Sequence, residues 1–221
     1  QSPLAVCQPV TIGLNGSGVA NLVPAQVDGG SNDNCAITSM TVVPNSFNGV
    51  GTFPVTLTVF DAAGNSDDCT VNVTVQDNNA PTAVCQPVTF YVDAAGNASI
   101  VAADIDGGST DNGTIVSIVA SQTAFDCSDL GANNVTLTVT DDGGNSDNCV
   151  ALVTVLDIIP PTAICQNISV QLNAMGAASI TAASVDNGSS DNCAITSMTV
   201  DQTAFTCADL GANTVVLTVT D

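Results

Sequence analysis

The only charged side chains in this 221-residue sequence are 21 aspartates; Glu, Lys, Arg and His are absent, and the formal net charge is −21 at pH 7. A short carboxylate can ligate a hard cation, work in a pair as general acid and base, or cap a turn. The same inventory excludes other chemistry. With no cation to meet phosphates, nucleic-acid binding and direct binding to an anionic membrane are ruled out as intrinsic activities. With no His or Lys there is no imidazole ligand or base, no Schiff-base nucleophile and no partner to activate a Cys.

The carboxylates fall at three recurring loop positions. A middle loop holds Asp28, Asp33 and Asn34, then Asp104, Asp106, Asp111 and Asn112, then Asp186, Asp191 and Asn192. A turn before the last strand of a repeat holds Asp61, Asn65 and Asp67, then Asp141, Asp142, Asn145 and Asp147, and a linker holds Asp77, Asn78 and Asn79, then Asp157. Interleaved with Gly, these residues offer the all-oxygen shell that Ca²⁺ requires. The expected ligands are Asp28, Asp33, Asn34, Asp61, Asn65, Asp67, Asp77, Asn79, Asp104, Asp106, Asp111, Asp141, Asn145, Asp147, Asp157, Asp186 and Asp191. Asx-turns use the same residue types and account for part of the pattern. The balance tips to metal because roughly seven negative charges per repeat, with no compensating cation, repel one another.

Catalysis is not expected. An Asp-only glycosidase needs two carboxylates converging in one cleft, whereas these Asp recur repeat by repeat, which marks structure over a unique active site. Sugar binding is the alternative function, with surface glycans as partners, but it normally uses exposed Trp or Tyr. The chain has no Trp and one Tyr, Tyr91, set between Phe90 and Val92 in a strand-like run. Phe125 and Phe205 occupy equivalent positions and read as core.

Nine Cys fall at four repeat positions: first strand, middle loop, late loop and last strand. The first-strand and last-strand Cys occur together, which predicts Cys7–Cys69 and Cys85–Cys149. Cys193–Cys207 is the natural second bridge, and Cys165 awaits a partner beyond residue 221. Cys35 and Cys127 are then either free thiols or bridged to each other, between repeats or between chains. Gly113 stands near the middle-loop position of the second repeat. Such Cys density indicates an oxidising compartment outside the cytoplasm.

The elements that must position these residues are strands in a repeat. Pro3-Leu-Ala-Val-Cys7, Pro81-Thr-Ala-Val-Cys85 and Pro161-Thr-Ala-Ile-Cys165 recur at a period of 78 and then 80 residues, and Val55-Thr-Leu-Thr-Val-Phe-Asp61, Val135-Thr-Leu-Thr-Val-Thr-Asp141 and Val215-Val-Leu-Thr-Val-Thr-Asp221 recur at 80 residues each time. This divides the chain into repeats at 1–79, 80–159 and 160–221, the third lacking its last strand and so reading as a window on a longer array or, alternatively, as a repeat completed by a strand from a neighbouring molecule. Apolar and polar residues alternate at period two within each repeat, Gly/Asn/Asp clusters separate the runs, and no stretch has capped helical periodicity. The expected class is all-β: tandem, disulfide-stapled β-sandwiches of about 80 residues each. No apolar run approaches the ~20 residues of a membrane-spanning helix.

The run Thr52-Phe-Pro-Val-Thr-Leu-Thr-Val-Phe-Asp61-Ala-Ala-Gly64-Asn65-Ser-Asp-Asp-Cys69-Thr-Val-Asn-Val-Thr-Val-Gln-Asp77, with the Pro-Thr-Ala-Val-Cys start, resembles the HYR (hyalin repeat) modules. It is especially similar to tandem HYR-like repeats of very large surface adhesins in Bacteroidota. The resemblance implies an immunoglobulin-like fold, an extracellular or cell-surface location, and a non-enzymatic role in adhesion or in a surface filament, with neighbouring repeats or copies of the chain as partners. The linkers Asp77-Asn-Asn-Ala-Pro81 and Asp157-Ile-Ile-Pro-Pro161 also resemble the calcium-rigidified junctions of cadherin repeats. The second linker lacks the Asn ligands, which makes the first the better candidate.

Overall fold

Alternation decides which strand faces turn inward. In the computed structural model, which describes residues 1–221, every second side chain from Val55 to Asp61 is buried, and Val55, Leu57 and Val59 are fully so. Their polar alternates, Thr56 and Thr58, face outward, as a half-wet sheet requires.

Two compact units are present: residues 1–86, 102–121 and 135–151, and residues 87–101, 122–134 and 152–221. The first repeat lies wholly in the first unit. It runs β1 (Val10–Gly13), β2 (Ala20–Asn21), α1 (Pro24–Val27), β3 (Ile37–Val43), β4 (Ser46–Phe47), β5 (Gly51–Asp61) and β6 (Ser66–Gln76). Its main sheet has the order β1-β6-β5-β3, in which β1 pairs parallel with β6 and the other pairings are antiparallel. Across from it lie the short β2–β4 ribbon and α1. Between them Val55, Leu57, Val59, Val73 and Val75 pack with Val27, Leu22 and Phe47. At about 25 cal/mol per Å² of apolar area removed from water, these aliphatic side chains carry the fold.

The second repeat follows with β7 (Val88–Tyr91), β8 (Asn97–Ser99), α2 (Ala102–Ile105), β9 (Ile115–Ala120), β10 (Ala124–Asp126), β11 (Gly131–Asp141) and β12 (Ser146–Leu156). Its strand order, β7-β12-β11-β9, reproduces that of the first sheet. The third has β13 (Ala177–Ser179), α3 (Ala182–Val185), β14 (Ser197–Val200), β15 (Ala204–Thr206) and β16 (Leu217–Thr220) around Ile180, Val185, Phe205 and Leu217. Three isolated bridges recur in register: Cys7 with Asp28, Cys85 with Asp106 and Cys165 with Asp186. The architecture is therefore a tandem of immunoglobulin-like sandwiches.

The helical turns were not expected. Each is a single four-residue turn that buries one side chain, Val27, Ile105 or Val185, so it has no periodicity to read. In α1, Pro24 opens the turn and the Gln26 side chain accepts the Val23 N–H at 2.9 Å.

Disulfides join Cys7 to Cys69 and Cys85 to Cys149. The third joins Cys127 to Cys193, so the expected Cys193–Cys207 bridge and a Cys35–Cys127 bridge are both corrected; Cys35, Cys165 and Cys207 are free. The cause is where the late loop points. Cys127 opens a 3₁₀ turn (Cys127–Asp129) beside the Gly96 carbonyl, and there it meets the middle loop of the repeat that follows it in sequence, its Sγ 3.5 Å from the Asn192 carbonyl oxygen. A late-loop Cys thus faces the next repeat's middle loop, not its own.

Candidate metal centre

Asp77 follows the end of β6, Asp141 ends β11, and Asp111 sits in the middle loop between α2 and β9. One oxygen from each lies within 4.8 Å of the others. Asp141 is 1% and Asp77 3% exposed. At an effective dielectric of about 20, each like-charge pair at that spacing costs about 3 kcal/mol. No cation of the chain is available to offset it.

Local hydrogen bonds aim these groups. The Asp141 carboxylate accepts the Asn145 N–H at 2.7 Å and its amide at 2.9 Å, and that amide also reaches the Asp77 carbonyl at 3.0 Å. The Asn79 N–H donates to Asp77 at 3.0 Å, and the Asn112 amide donates to Asp77 at 3.2 Å and to the Asn15 carbonyl at 3.2 Å. Asp111 Oδ2 accepts the Gly113 N–H at 2.7 Å. Its Oδ1, and Oδ1 of adjacent Asp142, are buried with no donor. Buried oxygens without a donor are costly, and a hard cation is what they suit. Gly113 completes the cradle: a Cβ there would stand 2.7 Å from Asp77 Oδ2 and 3.2 Å from both Asp111 Oδ2 and Asp142 Oδ1.

The arrangement recurs with Asp157, Asp191 and Asp221, again within 4.8 Å. Asp191 Oδ2 accepts the Cys193 N–H at 2.9 Å, Asp157 Oδ1 accepts the Ile159 N–H at 3.0 Å and the Asn192 amide at 3.1 Å, and Asp157 Oδ2, Asp191 Oδ1 and Asn192 Oδ1 are buried without donors. The first repeat carries the corresponding half. Asp33 Oδ2 accepts the Cys35 N–H at 2.9 Å, its Oδ1 is buried and unpaired, and Asp61 accepts the Asn65 N–H at 2.8 Å and the Asn65 amide at 2.7 Å.

Of the expected ligands, the structure gathers Asp77, Asp111 and Asp141, with Asn79 and Asn145 as flanking donors, and it gathers Asp157 with Asp191. It sets others apart. Asp28, Asp106 and Asp186 belong to neither triad: their carboxylates close turns onto Ser31, Ser109 and Ser189, whose donated hydrogen bonds hold all three below the ordinary carboxylate value. Asp67 and Asp147 accept the N–H of Ala5 and Ala83 at 2.9 Å and anchor the start of each repeat. Asn34 lies beside the Cys35 sulfur, and the Asp104 carbonyl accepts the Gln86 amide. Asp142 and Asp221 also lie at these clusters and were not among the expected ligands. Asp221 was legible, because it ends the same Val-x-Leu-Thr-Val-x-Asp run as Asp61 and Asp141.

Residues 5–75 match the family model of the HYR domain. No curated protein matches the chain. Among solved structures the chain is similar to protocadherin gamma B7 extracellular cadherin domains 1–4 at 12% identity, covering 100% of this chain and 68% of that one with a TM-score of 0.34. It is similar to titin domains I67–I69 at 12% identity, covering 91% and 80% with a TM-score of 0.37. Human CDH23 EC21–23 is 14% identical, over 76% and 73%, with a TM-score of 0.40.

Proposed function

We propose that this chain is a non-enzymatic structural segment of an extracellular adhesin or surface filament. Its repeats are residues 1–79, 80–159 and 160–221, and Ca²⁺ held by the Asp triads stiffens its junctions. The observation that carries this reading is the recurrence, two repeats running, of three converging Asp with a buried unpaired oxygen on Asp111 and on Asp191, in a chain without one cationic side chain. Asp77, Asp111, Asp141 and Asp142 would hold the first ion; Asp157, Asp191 and Asp221 would hold the second. A bound divalent ion would offset the carboxylate repulsion and tie linker, middle loop and strand end together. The match of residues 5–75 to the HYR domain model supports the adhesion-type setting. No helix of the chain is long and apolar enough to cross a membrane.

Thermal unfolding in millimolar Ca²⁺ and in EDTA, at matched ionic strength, tests the reading. A melting temperature several degrees higher in Ca²⁺ is expected, since a ligand at ~100 times its Kd stabilises by about 2.7 kcal/mol. Coincident curves would remove calcium from the proposal.

A further inference from the structure

Cys35 and Cys207 are exposed and unpaired, yet each occupies a position that elsewhere in the chain is half of a formed disulfide. Cys35 matches Cys193. Both backbone N–H groups donate to the aspartate two residues earlier at 2.9 Å, and both sulfurs lie near the preceding Asn amide, at 3.5 and 3.7 Å. Cys207 matches Cys127. Both open a 3₁₀ turn whose second N–H, that of Ser128 or Ala208, donates to the side chain of the residue before the turn, and both sulfurs face a glycine carbonyl, Gly176 at 3.9 Å and Gly96 at 3.5 Å. A Cβ built on those glycines would meet the sulfurs at 2.8 and 2.6 Å, so both turns leave the same space for the thiol.

The two positions are present or absent as a pair. Where Cys127 stands in the late loop, the following middle loop supplies Cys193 and the bond forms. At the junction built on Asp77, Gly113 replaces the middle-loop Cys and the first repeat's late loop, between Phe47 and Gly51, contains no Cys either. The unpaired oxygen of Asp33 adds a second mark on the Cys35 face, since Asp191 carries the same one beside the formed bond.

We propose that Cys35 and Cys207 are the acceptor and donor halves of one inter-repeat staple, through which the face bearing Asp33, Cys35 and Asp61 binds the late-loop face of another repeat of this kind. The partner proposed is a second copy, joined head to tail through Cys207 and Cys35, since one chain carries both halves. The oxidant is a small-molecule disulfide. One protein thiolate attacks it and expels one small thiol; the other thiolate then attacks the protein sulfur of that mixed disulfide and expels the second, so two protein thiols are oxidised and one small disulfide is reduced to two thiols.

The test treats the full chain as isolated, in Ca²⁺, with oxidised glutathione. Species are resolved on non-reducing gels, and linked peptides are mapped after cleavage at Asp, because trypsin has no site. A ladder whose dominant linked pair is Cys35–Cys207 is expected. C35S and C207S alone should lose the ladder and run as monomers, while their mixture should give a dimer and nothing larger. A C165S background removes the remaining exposed thiol. Links mapping to Cys35–Cys35 or Cys207–Cys207, or the absence of any linked species, would overturn the proposal. It rests on the repeat-array reading, but the failures separate: a calcium-raised melting temperature with wrong pairs or none sinks only the staple, whereas loss of both sinks the array as well.

Discussion

Gly113 shows how one missing methyl group shapes a site. Its hydrogen faces three carboxylates that a Cβ would crowd, so Gly113→Val is expected to push Asp77 and Asp142 apart and reduce the melting-temperature gain from Ca²⁺, measured against the same variant in EDTA. Asp111→Asn should raise stability in EDTA and shrink the gain from Ca²⁺. Removing one of three clustered charges relieves repulsion, so in EDTA the variant should melt higher by several degrees. In Ca²⁺ the further gain should be smaller than in the unsubstituted chain. Equal calcium responses in the two proteins would exclude Asp111 as a ligand. In sequence Asp28 and Asp111 look alike, both set among Gly, Ser and Asn. What separates them is the residue three positions on: Asp28-Gly-Gly-Ser31 closes onto its own Ser, whereas Asp111 has no such Ser and leaves one oxygen free.

At the scale of elements, alternation made the long strands readable. β11 buries Val135, Leu137 and Val139 and turns Thr138 outward. Leu137→Ala should therefore cost ~2–5 kcal/mol in urea denaturation, and Thr138→Ala no more than about 0.5 kcal/mol. Equal effects would mean that the face is assigned wrongly. The one-turn helices were not readable, because a single turn has no period. The Cys127–Cys193 bond was missed for a geometric reason: Cys193 and Cys207 are near in sequence, but the late loop reaches forward to the following repeat. The turn-forming Asp28, Asp106 and Asp186 also set a pH dependence. Hydrogen bonds from Ser31, Ser109 and Ser189, foremost among the causes, depress their folded pKa values. Their stabilisation is complete above the unfolded carboxylate value and is lost as pH falls through the lower folded values. In EDTA, Asp186→Asn made in C35S/C165S/C207S, which lacks free thiols, should lower the urea midpoint more at pH 7 than well below about pH 4, where Asp186 is itself neutral. Equal losses at the two pH values would contradict the assignment.

Across the whole molecule, the parallel pairing of β1 with β6, Val10 opposite Val73 through Gly13 opposite Gln76, places the first and last strands of a repeat side by side. The same holds for β7 and β12, with Val88 opposite Val153. If such a repeat is pulled from its two ends, the adjoining strands slide past each other. The ladder is then loaded in shear, with its hydrogen bonds strained together instead of one after another. Beneath that ladder Cys7–Cys69 ties residues 62 apart, so most of the repeat cannot lengthen even after the strands part. In single-molecule pulling the oxidised repeat should release almost no length, and the reduced one roughly 200 Å more at ~3.4 Å per freed residue. In the proposed filament the cysteines would then hold the length of each repeat under load.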